Sequence, residues 1–131
     1  MKSRPGKRPT EDQLICVVDD DEMLRESLPD WLRECGFAAR AFSSGPEFLS
    51  CDYLDKTRCL ILDVAMAGMS GLDLQKELKN RGHTIPIIFI TAHKDEEVRK
   101  QALKQGAVRF LYKPFSDGDL LDAVNTALKV V

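Results

Sequence analysis

Five short apolar runs punctuate the chain, and stretches with helical spacing separate them. Leu14-Ile15-Cys16-Val17-Val18 is continuous, as expected of a strand buried on both faces. Leu24, Leu28, Trp31, Leu32 and Cys35 then recur at helical intervals, and Gly36 offers a C-terminal cap. Pro29 falls inside that pattern. It should kink the helix or remove one hydrogen bond, at a cost of up to about 3 kcal/mol. The apolar stripe continues across it, so a single helix is predicted. Residues 37–42 read as a weak second strand, and Ser44-Gly45-Pro46 opens a short helix through Phe48 and Leu49. Cys59-Leu60-Ile61-Leu62 forms the third run and ends in Asp63. Gly68-Met69-Ser70-Gly71 leads into a helix carrying Leu72, Leu74 and Leu78 that ends near Gly82. Residues 85–90 make the fourth strand, ending in Thr91. Residues 95–105 read as a helix with acids first and Lys100 and Lys104 last, in keeping with the macrodipole, and Gly106 closes it. Residues 108–111 are the fifth strand, followed by Tyr112-Lys113-Pro114, and a last helix carries Leu120, Leu121, Val124, Ala127, Leu128 and Val131.

Five strands alternating with five helices imply an α/β fold: a parallel sheet with helices on both faces. Ligands of such sheets sit outside the carboxyl ends of the strands. The 131 residues read as one domain, able to bury roughly two-thirds of its unfolded surface, so folding needs neither disulfides nor a structural metal. Cys16, Cys35, Cys51 and Cys59 form no Cys-x-x-Cys pair, and Cys16 and Cys59 lie in apolar runs, where cysteine behaves as a small buried hydrophobe. Neither His83 nor His93 lies near a cysteine in sequence, which argues against zinc. No apolar run approaches the about 20 residues of a membrane span, and no signal-peptide pattern opens the chain, so a cytoplasmic protein without a membrane partner is expected. The net charge of −2 hides an asymmetry. Lys2, Arg4, Lys7 and Arg8 stand among residues 1–10 without one acid, leaving an excess of six acids in the rest. Residues 1–13 are therefore expected to be a disordered basic leader and 14–131 the folded domain. An acidic domain is a poor non-specific binder of nucleic acid.

The chemistry gathers where the strands end. Asp19-Asp20-Asp21-Glu22 follows strand one, Asp63 strand three, Thr91 strand four and Lys113 strand five. The fold brings acids, a hydroxyl and an amine to one sheet edge from nearly a hundred residues of chain. Several carboxylates in one concave site repel one another unless a cation neutralises them. Mg²⁺ suits such an all-oxygen site and keeps room for phosphate oxygens. A carboxylate can also attack phosphorus to give an aspartyl phosphate, helped by a metal and a lysine that neutralise the phosphoryl oxygens.

Val-Val-Asp-Asp-Asp-Glu, Leu-Asp-Val-x-Met-x-Gly-Met-Ser-Gly, Ile-Phe-Ile-Thr-Ala and Phe-Leu-x-Lys-Pro-Phe together resemble the receiver domain of bacterial two-component response regulators, in wording closest to the FixJ-type branch. The resemblance covers residues 14–131. It implies a flavodoxin-like sheet of order 2-1-3-4-5. It implies Asp63 as phosphoacceptor, Asp19 and Asp20 as the acidic pocket with Asp20 a direct Mg²⁺ ligand, and the backbone carbonyl of Ala65 as another ligand. Thr91 would swing toward the phosphate, Phe110 would occupy the aromatic switch position, and Lys113 would pair with the phosphoryl group. Pro114 stands where the family often has a cis bond. Ala67 replaces the family's usual proline, which should loosen the loop after Asp63. Asp21 reads as solvated or capping the helix, and His93 and His83 as loop residues.

The function implied is a phosphorylation-controlled signalling switch. A sensor histidine kinase would pass phosphoryl from phosphohistidine to Asp63 with Mg²⁺ bound, and the face of helix four, strand five and helix five would repack, with a phosphorylation-dependent homodimer through that face in view. The domain is a receiver of phosphoryl groups and not an enzyme in the ordinary sense, although it could catalyse its own phosphorylation and dephosphorylation. An alternative is a haloacid-dehalogenase-type phosphatase using Asp19 as nucleophile in Asp19-x-Asp21, against which stand Met23 at the position usually Thr or Val and the absence of a cap domain. A third reading is a phosphorylation-independent interaction module. The FixJ-type resemblance leads one to expect a DNA-binding output domain beyond Val131. With the chain ending there, either a single-domain regulator acting through proteins or a domain cut from a longer regulator is expected, and DNA would be reached only through such an output domain.

Overall fold

The computed structural model describes residues 13–130, with side chains through Lys129. All but Gln13 of the expected basic leader lies outside the described residues, and the Gln13 carbonyl accepts from Ala38 N–H at 3.3 Å. The elements run β1 (Leu14–Val18), α1 (Glu22–Glu34), β2 (Ala38–Phe42), α2 (Gly45–Leu49), a 3-10 turn (Leu54–Lys56), β3 (Thr57–Asp63), α3 (Gly71–Asn80), β4 (Ile87–Thr91), α4 (Glu96–Lys104), β5 (Arg109–Tyr112) and α5 (Asp117–Val130). The sheet order is β2-β1-β3-β4-β5 and every pair is parallel, as expected.

The strand alternation divides the core in two. Ile15, Val17, Cys59, Ile61, Ile88 and Ile90 face α1 and α5, where Leu28, Leu32, Leu120 and Val124 meet them. Leu14, Cys16, Val18, Leu60, Leu62 and Phe89 face the other way, onto Phe48 of α2, Leu74 and Leu78 of α3 and Ala102 of α4. Burial on both faces explains the unbroken apolar runs of β1, β3 and β4. Among the described residues the cysteines are free, with Cys16 and Cys59 buried.

Helix starts follow local chemistry. Asp21 caps α1 by accepting from Met23 N–H, and Asp95 caps α4 by accepting from Glu97 and Val98 N–H. Ser70 and Asp73 form a reciprocal capping box on α3. Helix α1 runs through Pro29, which is buried and has no N–H to give the Arg25 carbonyl. The start of β4 differs from the periodicity. Ile85 and Pro86 stay outside the strand because proline lacks the ladder donor, although the Pro86 carbonyl still accepts from Leu60 N–H at 2.9 Å. Strand β3 starts two residues before the apolar run, at Thr57, whose hydroxyl donates to the Tyr53 carbonyl at 2.8 Å.

Strand ends align across the sheet. Val18 pairs with Leu62, Asp63 with Ile90 and Thr91 with Tyr112. Asp63 and Thr91 are thus the last residues of their strands, and Asp19 and Lys113 the first beyond theirs. Gly71 fixes the return from β3 into α3. Its N–H donates to the Val64 carbonyl at 2.9 Å, and a Cβ there would run into the Asp63 carbonyl and the Val64 Cα. Gly71→Ala must move backbone next to Asp63, so a loss of about 1–3 kcal/mol is expected in chemical denaturation. Gly118→Ala is the control, since its Cβ meets nothing closer than 3.9 Å. Equal stability of the two variants would contradict this account of the turn.

Candidate functional site

Asp19, Asp20 and Asp63 converge at the carboxyl end of the sheet, with one carboxylate oxygen from each lying within 4.8 Å of the others. Asp19 is wholly buried and fully engaged. Its Oδ1 accepts from Asp21 N–H at 2.9 Å, its Oδ2 from Lys113 Nζ at 3.0 Å and its carbonyl from Arg25 Nη1 at 3.0 Å. Its own N–H donates to the Phe42 carbonyl. Asp20 is exposed, and its carboxylate has no hydrogen bond or ion pair among the described residues. Asp63 is 5% exposed, and its Oδ1 stands 4.0 Å from Lys113 Nζ.

This crowding sets the protonation of Asp63. Burial pushes its carboxyl up to about 7, and the charge of Asp19 adds to the rise, while Lys113 and the Ala65 backbone N–H pull the other way. Lys113 therefore spans two acids and neutralises one charge, and the site keeps an excess of negative charge for a cation. The donors are all oxygens, and the exposed Asp20 carboxylate is unengaged; such a set fits a hard divalent ion of the size of Mg²⁺. Ala65 lies in the exposed loop just past Asp63, and its backbone N–H hydrogen-bonds the Asp63 carboxylate.

The remaining strand-end residues lie alongside. Thr91 is 2% exposed; its hydroxyl accepts from His93 N–H at 3.1 Å and its carbonyl from Lys113 N–H at 2.8 Å. That second bond ties the end of β4 to the residue carrying the site's ammonium. The Lys113–Pro114 peptide is cis. Phe110 is half-buried, with its ring centroid 6.0 Å from Phe89 and 5.5 Å from Tyr112, edge-on to the latter. Lys94 Nζ lies 5.8 Å over the Tyr112 ring. His93 is exposed, and His83 Nδ1 is 3.7 Å from Asp55 Oδ1, away from the site. Sequence reading missed Arg25, Tyr112 and Lys94. Each takes its place through a contact between elements.

The pattern of a chain with this sheet and these strand ends is shared widely. The family model of the response regulator receiver domain matches residues 15–125. The response regulator protein TmoT of Ectopseudomonas mendocina is 44% identical over 127 residues, covering 95% of this chain and 58% of TmoT. Nodulation protein W of Bradyrhizobium diazoefficiens is 48% identical over 114 residues, 87% of this chain and 50% of that protein. The crystal structure of FixJ-N superposes with a TM-score of 0.83 at 35% identity, covering 93% of this chain and 98% of that one. The chain belongs to the response regulator receiver domain family. Receiver domains are phosphorylation-controlled signalling switches of two-component systems, take phosphoryl groups from sensor kinases and bind Mg²⁺ at an acidic cluster; they are not ordinary enzymes. The chain spans between half and three-fifths of the length of these two curated relatives. The phosphatase alternative on Asp19 finds no support: both oxygens of that carboxylate are already held, in a wholly buried position, and the matching family is a different one.

The raised Asp63 carboxyl makes a stability prediction. The folded chain holds this proton up to about pH 7, whereas the unfolded value is 3.8. The fold therefore binds more protons than the unfolded chain between those limits, and stability falls as pH rises through them. Asp63→Asn cannot ionise. In metal-free buffer it is expected to melt above the wild type at pH 8 and to show no such advantage near pH 4. A constant difference at both pH values would contradict the assignment.

Proposed function

We propose that Asp63 is the phosphoacceptor of this chain and that Asp20, Asp63 and the Ala65 carbonyl hold Mg²⁺, with Asp19 completing the pocket. The observation that carries this reading is the meeting of Asp19, Asp20 and Asp63 within 4.8 Å, with Lys113 against two of them. When bound, Mg²⁺ neutralises the carboxylates and the phosphoryl oxygens. A carboxylate oxygen of Asp63 attacks phosphorus in line. The P–N bond to the phosphohistidine of a partner kinase breaks, and its electron pair returns to the departing imidazole. Lys113, already 4.0 Å from Asp63 Oδ1, stands within reach of the new phosphoryl group. In this reading Lys113 and Thr91 act on the transferring group.

Thr91 supplies a hydroxyl proton, because the hydroxyl now only accepts, from His93 N–H. Movement of Thr91 toward the phosphoryl oxygens draws on the Lys113–Thr91 backbone bond and opens space for Phe110. The face of α4, β5 and α5 then repacks, a two-state change biased by the added charge. That face is the surface proposed for phosphorylation-dependent homodimerisation. Hydrolysis of the aspartyl phosphate by the domain itself belongs to the same reading, as do a sensor histidine kinase as partner and a cytoplasmic setting. Among the described residues no helix is long and apolar enough to cross a membrane. The relatives that match over half to three-fifths of their length make a longer regulator, acting on DNA through an output domain outside this chain, part of the proposal.

Incubation with an acyl phosphate and Mg²⁺ is expected to add one phosphoryl group by intact-mass spectrometry. Labelling should disappear with a chelator and in Asp63→Asn. Equal labelling of Asp63→Asn would overturn the assignment.

A further inference from the structure

The exposed Asp20 carboxylate presents an unusual situation for a metal ligand. Metal-binding side chains are ordinarily oriented by hydrogen bonds from outside the coordination shell. Asp19 has such bonds on both oxygens, and Asp63 is buried beside Lys113. The Asp20 side chain has none among the described residues. Its direction rests on the backbone of the junction between β1 and α1.

That backbone is pinned from α1. Helical side chains lean toward the N-terminus of their helix, so Arg25, in the first turns of α1, reaches back over the junction. Its Nη1 donates to the Asp19 carbonyl at 3.0 Å, which is the acceptor of the peptide joining Asp19 to Asp20. Arg25 N–H also donates to the Asp21 carbonyl at 3.1 Å, and Asp21 N–H donates to Asp19 Oδ1 at 2.9 Å. Arg25 therefore grips Asp20 from both sides along the chain, through the carbonyls of residues 19 and 21. No carboxylate pairs with its guanidinium at ion-pair distance among the described residues, although three lie at the neighbouring site.

We infer that Arg25 is a positioning residue for Mg²⁺ binding: by holding the Asp19 carbonyl it orders the peptide that aims the otherwise unsupported Asp20 carboxylate. This rests on the site reading above. Two effects of Arg25 have opposite signs. Its positive charge opposes a second cation nearby, so charge alone predicts tighter Mg²⁺ binding when Arg25 is removed. Its hydrogen bond preorganises a ligand, so geometry predicts weaker binding. The contact is a charge-assisted bond to an acceptor next in the chain to the ligand itself, and loss of such outer contacts lowers metal affinity about tenfold or more.

The test is a calorimetric Mg²⁺ titration of the full chain at pH 8, comparing wild type with Arg25→Ala, Arg25→Gln and Arg25→Lys, and metal-free melting curves for each. Arg25→Ala is expected to weaken Mg²⁺ binding about tenfold. Arg25→Lys, which keeps a cationic donor, should recover part of that loss. Arg25→Gln has lost the charge and should still bind more weakly than wild type. If Arg25→Ala does not fold, the Gln and Lys variants decide the matter. Unchanged or tighter Mg²⁺ binding in Arg25→Ala and Arg25→Gln would overturn the inference, and so would melting temperatures that fall while the affinity of the folded variants stays constant. A wild type that fails to bind Mg²⁺ would overturn the site reading and this inference with it, a different outcome from wild-type binding that Arg25 does not affect.

Discussion

Three carboxylates at one sheet edge repel each other, and the arrangement of the molecule around them follows from that repulsion. Two like charges about 4 Å apart near a protein surface cost roughly 4 kcal/mol. Asp19, Asp20 and Asp63 have oxygens within 4.8 Å of one another. The fold meets this with a proton held on Asp63 up to about 7, the ammonium of Lys113 at 3.0 Å from Asp19, and the backbone N–H of Asp21 on the other Asp19 oxygen. These arrangements stabilise the metal-free state without removing the acids. Under the proposed reading, a divalent cation held by these acids would supply the same neutralisation, leaving Lys113 and the Asp63 carboxylate for a phosphoryl group.

The sheet supplies the geometry this requires. The order β2-β1-β3-β4-β5 sets β1 and β3 side by side, so Asp19 and Asp63 meet although 44 positions separate their numbers. Lys113 comes from the far edge, 94 residues from Asp19, and is held in place by its backbone bond to Thr91. Its neighbour Tyr112 continues an aromatic row through Phe110 to Phe89, with Lys94 of the loop before α4 over the outer ring. Charge at Asp63, hydroxyl at Thr91 and aromatic packing at Phe110 are thus parts of one contiguous edge.

Much of this was legible in the chain. β1 and β3 are buried on both faces, so unbroken apolar runs mark them, and their ends mark Asp19 and Asp63. Thr91 ends β4, another strand buried on both faces, whereas Lys113 follows β5, a half-buried edge strand that opens with Arg109. The periodicity alone starts β4 two residues early, because Ile85 and Pro86 are apolar and only the missing proline donor excludes them. The turn at Leu54–Lys56 has no apolar period and gave no signal. Composition also cannot tell the Asp19 carboxylate, held on both oxygens, from the Asp20 carboxylate, which has no hydrogen bond among the described residues; that depends on Lys113 and Asp21 arriving at one of them. Arg25 was hidden for a similar reason: at helical spacing it reads as one more solvated charge, and its role rests on a bond to a backbone carbonyl.

The proton that Asp63 keeps is the most direct consequence of the crowded acids. Carboxyl-carbon NMR of the selectively labelled chain, titrated with and without Mg²⁺, reads it at the residue itself. Without metal the Asp63 signal should titrate near 7, and with saturating Mg²⁺ its midpoint should move to clearly lower pH as the ion replaces the proton. An Asp63 signal that titrates in the ordinary carboxylate range, unmoved by Mg²⁺, would contradict the crowded acidic site on which the whole reading depends.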